Sequence, residues 1–196
     1  LFLDFHDTDE KIERSPLEDE VEVIIVGGGF GGMLAAARLR EAGIDDFRII
    51  EKGGDFGGTW YWNRYPGASC DIESCVYFPL LEETGFVPKK KYTDAPETLE
   101  YCQILSKKFK LYESACFQTE VTSTEWDEET QRWIVHTNQN DRMRAKYIVH
   151  SNGPLNRPKL PAITGINKFK GHTFHTSRWD YEYTGGSSFG NLSRLK

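Results

Sequence analysis

The stretch Val21-Glu-Val-Ile-Ile-Val26-Gly27-Gly-Gly29-Phe30-Gly-Gly32 limits what this chain can fold into more than any other part of it. A short β-branched run such as Val21 to Val26 predicts a parallel strand buried on both faces. Gly27-x-Gly29-x-x-Gly32 follows without a gap, and a helical pattern, Phe30 to Ala42 closed by Gly43, follows at once. The three glycines have separable tasks. Gly27 allows a tight turn, Gly29 lets a pyrophosphate approach the backbone, and Gly32 lets the helix lie close on the strand. The helix start then offers unpaired N–H groups and the positive end of its dipole to phosphates. Phe47-Arg-Ile-Ile predicts a second strand, and Glu51 at its tip lies nineteen residues beyond Gly32. A carboxylate there can accept from both ribose hydroxyls of an adenosine and repels a 2′-phosphate, so FAD or NAD is expected rather than NADP. A glycine-rich turn can be only a turn. Here strand, helix, acid and spacing agree, and that agreement favours dinucleotide binding.

At 196 residues the chain can bury one good core. Charged residues make up 28% and the net charge is −6, with both signs interspersed, which argues against a nucleic-acid surface. Lys89-Lys90-Lys91 reads as a solvated turn. No apolar run approaches the length of a membrane span, so no membrane partner is expected. The first residues lack the basic start and apolar stretch of a signal peptide. Cys70, Cys75, Cys102 and Cys116 form no Cys-x-x-Cys and no ligand pattern with the five histidines. No metal is therefore expected, and reduced thiols in a cytoplasmic protein are. Cys70 and Cys75 share the spacing of the redox disulfide in flavin-dependent disulfide reductases, where the pair directly follows a Gly-Gly-Thr segment. In this chain Trp60 follows Gly57-Gly58-Thr59 and Cys70 comes eleven positions after Thr59, which disfavours that reading.

Residues 1–19 are acidic and polar and read as an extension that wraps the domain or forms a short helix. Residues 53–79 are rich in Gly and aromatics with no period, and an irregular segment of that length in a compact domain is usually functional. Asp94 as N-cap, Pro96 in the first turn and Glu97 reaching back predict a helix from there to about Tyr112. Its apolar stripe is Leu99, Cys102, Leu105 and Phe109. Cys116–Trp126, Arg132–Thr137 and Met143–His150 predict three strands of an antiparallel meander, followed by a proline-marked loop. The last residues have the composition of a linker.

Gly57-Gly-Thr-Trp60-Tyr-Trp-Asn-Arg64-Tyr-Pro-Gly67-Ala-Ser-Cys70-Asp71 resembles the flavin-contacting segment of Baeyer–Villiger monooxygenases. Phe169-Lys-Gly171-His-Thr-Phe-His175-Thr-Ser-Arg-Trp179-Asp180 is similar to that family's fingerprint, Phe-x-Gly-x₃-His-x₃-Trp followed by Pro or Asp. With the nucleotide fold, the resemblance covers nearly everything from Val21 to Lys196. It implies an α/β, Rossmann-like FAD-binding domain, a parallel sheet with helices plus an antiparallel β-meander, over 20–183, with 184–196 leading to an absent NADPH-binding domain. Gly27, Gly29, Phe30 and Gly32 would hold the FAD pyrophosphate and Glu51 its ribose. Gly58, Thr59 and Trp60 would run beside the phosphates and flavin, Tyr77 would pack near them, and Val121 would offer backbone to the adenine. Asp71 would face the flavin ring and the nicotinamide, with Cys70 beside the NADPH path. His175 would sit in the fingerprint that couples motion of the two domains. Trp60 suits a rigid wall that keeps water from a reactive flavin, and Asp71, if buried, suits holding a cation over it.

Two departures qualify the match. His150-Ser151-Asn152-Gly153 stands where the family commonly has a small residue and Thr or Ser before the glycine, which leaves the flavin contact there open. A second glycine fingerprint for NADPH, and an arginine to pair with Asp71, would lie beyond Lys196, so the expectation is part of a longer enzyme. The activity implied is NADPH- and O₂-dependent conversion of a ketone to an ester or lactone through a peroxyflavin. The alternatives are a flavin monooxygenase acting on nitrogen or sulfur, whose fingerprint usually lacks the acid after the aromatic, and a non-catalytic flavin-binding module. An NAD-dependent dehydrogenase would leave the segment after Glu51 without a role.

Overall fold

The computed structural model describes residues 12–188. One six-stranded sheet, in the order β3-β2-β1-β6-β5-β4, organises them. β1 (Glu20–Val26) lies at its centre, parallel to β2 (Phe47–Ile50) on one side and to β6 (Arg142–His150) on the other. Its β-branched run is explained by burial on both faces. Val23 and Ile25 pack with Met33, Ala36, Ala37, Tyr101, Cys102 and Leu105 of the helices, while Ile24 and Val26 pack with Val135, Met143 and Ala145 on the opposite face.

The helix α1 (Phe30–Glu41) ends near its predicted boundary, and Gly43 takes a φ of +77° after it. Three single-turn helices, α2 (Thr59–Trp62), α3 (Ser74–Tyr77) and α4 (Leu81–Thr84), punctuate the aromatic segment. They precede α5 (Ala95–Lys108). That helix stops short of Tyr112 because Lys110 turns left-handed, at φ +53°, and Leu111–Ser114 coil into a 3₁₀ turn. Asp94 does stand at the N-cap, but the expected capping box is absent. The Asp94 carboxylate pairs with Lys90 at 2.5 Å and Glu97 accepts from the Lys89 N–H at 2.9 Å. Two nearby donors outcompete the helix's own N–H groups.

The strand expected from Cys116 to Trp126 is two strands. β3 (Ala115–Cys116) closes the parallel side beside β2, and the chain then breaks at Gln118, which has a φ of +49°. β4 (Val121–Asp127), β5 (Arg132–Thr137) and β6 form the expected antiparallel meander. Because β6 also pairs with β1, the meander is fused to the parallel strands in one sheet. The C-terminal part holds α6 (Tyr181–Thr184) and irregular backbone.

Residues 12–19 run along the sheet without forming a helix, and the rest of the expected extension, residues 1–11, lies outside the described residues. Leu17 packs on the β1–β6 face of the core, the Arg142 N–H donates to its carbonyl and the Arg144 N–H donates to that of Asp19. The buried Asp141 carboxylate takes Arg14 on both oxygens, at 2.5 and 2.6 Å. No helix among the described residues is long and apolar enough to cross a membrane. The expected linker from 184 onward lies partly outside the described residues.

Candidate functional site

Parallel strands bring their C-terminal ends to one edge, and where connections diverge to either side a crevice opens. β1 is that point: the chain leaves it toward β2 through α1, and β6 lies on its other flank. The crevice is a groove of about 550 Å³, within the usual size of a cofactor cleft. Gly27, Gly29 and Phe30 line its floor, Glu51, Lys52, Glu120 and Val121 one part of its wall, and Gly58, Thr59, Trp60, Trp62 and Tyr77 another.

The glycines are needed by close approaches. Gly27 has a φ of +107°, and a Cβ there would meet the Ser151 carbonyl oxygen at 2.5 Å. Gly32 does not line the groove. A Cβ on it would collide with the Gly27 carbonyl, so it sets how near α1 lies to β1. Gly58, at φ +52°, faces Gly29 across the floor, and a Cβ on it would come within 2.7 Å of the Gly29 Cα. The Gly57 N–H donates to the Gly28 carbonyl at 3.0 Å, which docks this loop on the turn. The start of α1 carries no side-chain cap, so its N–H groups and dipole remain directed at the groove. The Phe30 ring packs edge-on against Tyr77 at 5.3 Å and Tyr101 at 6.1 Å.

Glu51 is 5% exposed, and its two carboxylate oxygens accept from the N–H groups of Gly28 at 2.5 Å and Gly53 at 2.6 Å. A carboxylate has about four lone-pair sites, so it can accept several hydrogen bonds at once. Beside it Lys52 and Arg157 both pair with Glu120, at 3.0 and 3.2 Å. The Trp60 indole N–H donates to the Tyr77 hydroxyl at 3.0 Å, with the rings near perpendicular. Burial, opposed by that hydrogen bond, raises the Tyr77 pKa, so the phenol stays neutral.

Other expected residues lie elsewhere. Cys70 is buried behind Trp60 with Ala68 and Ala95, outside the groove lining. Asp71 is exposed and also outside it, at a turn that leads into α3, so the burial on which holding a cation was conditioned is absent. His175 caps a 3₁₀ turn at Thr176–Arg178, its Nδ1 accepting from the Ser177 N–H at 3.1 Å, and does not reach the groove. All four cysteines are free. Sequence reasoning passed over Lys52, Thr119, Glu120 and the run from Leu155 to Arg157, all of which line the groove, as do Ser151, Asn152 and Gly153, where a flavin contact was left open. Asn152-Gly153-Pro154 did mark a strand exit; only the pairing of β6 with β1 places that exit beside Gly27.

Residues 24–186 match the family described as pyridine nucleotide-disulphide oxidoreductase. The chain belongs to that family. Its name does not require a cystine here, since Cys70 is buried and Cys75 exposed, both as free thiols. The sequence is 51% identical over 187 residues to Baeyer-Villiger monooxygenase 4 of Dietzia sp. (strain D5), covering 95% of this chain and 31% of that one. A polycyclic ketone monooxygenase from the thermophilic fungus Thermothelomyces thermophila superposes with a TM-score of 0.84 at 39% identity, over 93% of this chain and 30% of its own. The enzyme described as OTEMO, solved in complex with FAD and NADP, follows with a TM-score of 0.75 and 31% identity, over 85% of this chain and 31% of its own. The resemblance to Baeyer–Villiger monooxygenases is thus borne out, and the chain spans about a third of the length of the curated relatives it matches.

Proposed function

We propose that the groove binds FAD and that the chain is the FAD-binding part of an NADPH- and O₂-dependent monooxygenase converting ketones to esters or lactones. The observation that carries this is the floor of the groove, where the uncapped start of α1 faces Gly58 with no Cβ on either side. A pyrophosphate needs such a surface, because its oxygens must come within hydrogen-bond reach of backbone N–H groups. The donor set at each end fits the rest of the cofactor. Glu51 supplies a carboxylate acceptor for ribose hydroxyls, and Trp60 and Tyr77 give an aromatic wall for a flat apolar ring.

When bound, FAD would supply the redox and oxygen-activating chemistry. The protein's part is to bind, orient and keep dry. Gly29, Gly58 and the α1 N-terminus would hold the diphosphate. Lys52 and Arg157 would add positive charge at the rim, and Val121 backbone beside the adenine. Trp60, locked by Tyr77, would exclude water along one side of the ring. Asp71 and Cys70 would act on the nicotinamide side, and His175 through the fingerprint. NADPH enters as the reductant, and a small-molecule ketone and O₂ as substrates.

FAD titration tests the reading directly. Purified chain should turn yellow and quench flavin fluorescence with one-to-one stoichiometry. A folded chain that stays colourless with excess FAD refutes it.

A further inference from the structure

We propose that Arg178 is a positioning residue for the groove, acting from inside the fingerprint on two of the groove's lining residues; this rests on the FAD reading above. None of residues 169–180 lines the groove. Arg178 nonetheless reaches it from behind. Its side chain is buried, with 7% exposure, and its guanidinium carbon sits 4.5 Å over the ring of Trp62. One Nη donates to the Ser177 carbonyl at 2.8 Å and the other to the Asn156 carbonyl at 3.4 Å. Trp62 and Asn156 both line the groove. A planar guanidinium can stack on a ring face and fork to two carbonyls at once, which an ammonium cannot do.

The neighbours of Asn156 give the contact its consequence. Three successive residues of the loop after β6 are each fixed to a different element. Asn63, at the end of α2, donates from its amide to the Leu155 carbonyl at 3.0 Å. Arg178 holds Asn156, and the Arg157 side chain reaches Glu120 at 3.2 Å. The middle attachment belongs to the fingerprint, and the same side chain covers Trp62 at the end of α2. A shift of the fingerprint would therefore move the loop and the aromatic wall together. His175 orients the turn that carries Arg178 by accepting the Ser177 N–H and pairing with its hydroxyl at 2.8 Å.

The test uses the whole chain with R178A, R178K, W62F and the R178A/W62F double variant. FAD affinity is read by fluorescence quenching, the visible band of bound flavin by absorbance, and the apo fold by circular dichroism. R178A should weaken FAD binding about tenfold, the reduction expected when the anchored arrangement of Trp62 and the Asn156 loop falls to about a tenth of the population. R178K should recover less than half of that loss, and the bound flavin band should shift in both. The double variant should lose less than the sum of its parts, because both substitutions remove one contact. If R178A does not fold, R178K decides: a loss of about fivefold or more supports the assignment. Wild type that binds FAD while folded R178A or R178K binds it within about twofold, with an unchanged band, overturns this inference alone. Wild type that takes up no FAD overturns the FAD reading and the inference with it.

Discussion

Asp141→Asn asks whether residues 12–19 are part of the fold or merely lie against it. Asp141 is 1% exposed, at the turn into β6. It accepts from Arg14 at 2.5 and 2.6 Å, from the Leu17 N–H at 2.8 Å and from the Thr137 hydroxyl at 2.6 Å. Burial pushes its pKa up, but the hydrogen bonds from Arg14, Thr137 and Leu17 and the Arg14 charge outweigh it and hold the group at about 2, below the ordinary 3.8. That gap corresponds to about 2 kcal/mol in favour of the folded state whenever the carboxylate is ionised. The folded-state pKa is the depressed one. The contribution is therefore complete above about pH 4 and is lost as pH falls toward about 2.

Asparagine keeps the shape but brings an N–H₂ group where only acceptors are wanted. Removing one member of a buried pair costs about 3–5 kcal/mol. The Arg14 side chain remains 20% exposed and regains some hydration, so a loss of about 2–3 kcal/mol is expected. For a chain of this size each kcal/mol moves the midpoint by about 2–4 °C, which places D141N about 5–10 °C below wild type near neutral pH. Thermal melts by circular dichroism from pH 7 downward check both points. The gap should hold to about pH 4 and narrow toward about pH 2. A neutral-pH midpoint within about 1 °C of wild type, or a gap that stays open in acid, refutes the reasoning.

Gly58→Ala should reduce FAD affinity by at least about tenfold, because its Cβ must displace the Gly29 backbone 2.7 Å away; equal affinity in a titration would show that the floor is not the phosphate site. In Glu51→Gln the amide must set a donor against the N–H of Gly28 or Gly53, so the apo chain should lose about 1–3 kcal/mol even before any nucleotide is added. A urea titration of the apo variant measures that loss, and an unchanged midpoint counts against it. Tyr77→Phe orphans the buried Trp60 indole N–H and should cost about 1–2 kcal/mol. Its melt should fall accordingly, with bound flavin fluorescence less quenched than in wild type.

What could be read from the sequence follows the range of the forces involved. The strand–turn–helix at 20–41 was legible because β-branching and glycine placement act within a few residues. Glu51 was legible because a short strand places its tip by length alone. The split after Cys116 was not, since nothing in Phe117-Gln118-Thr119 forbids a strand. The Gln118 and Thr119 N–H groups donate to the carbonyls of Gly53 and Glu51, and that distant loop bends the chain. The capping box at Asp94 failed for a similar reason: Lys90 and the Lys89 N–H, which no capping rule consults, supply stronger or nearer donors. Asp71 was set to face the flavin ring through resemblance, and its exposure could be found only from the turn that carries it.

The groove itself depends on β6 serving two sheets' worth of pairing at once. Antiparallel pairing with β5 fixes its register from one side, with Trp133 opposite Ala145. Parallel pairing with β1 fixes it from the other, with Val26 beside His150. Those two registers together deliver Ser151 to Gly27, where the Ser151 N–H donates to the Val26 carbonyl at 2.8 Å. Any Cβ on Gly27 would then meet the Ser151 carbonyl, so the first glycine of the turn is required by a strand more than a hundred residues away as well as by its own φ. A one-residue slip of β6 would turn its core side chains to the wrong face and carry the Leu155–Arg157 attachments off the groove together. The site's geometry is therefore held by the meander, a part of the chain whose strands contribute only Val121 to the groove's lining.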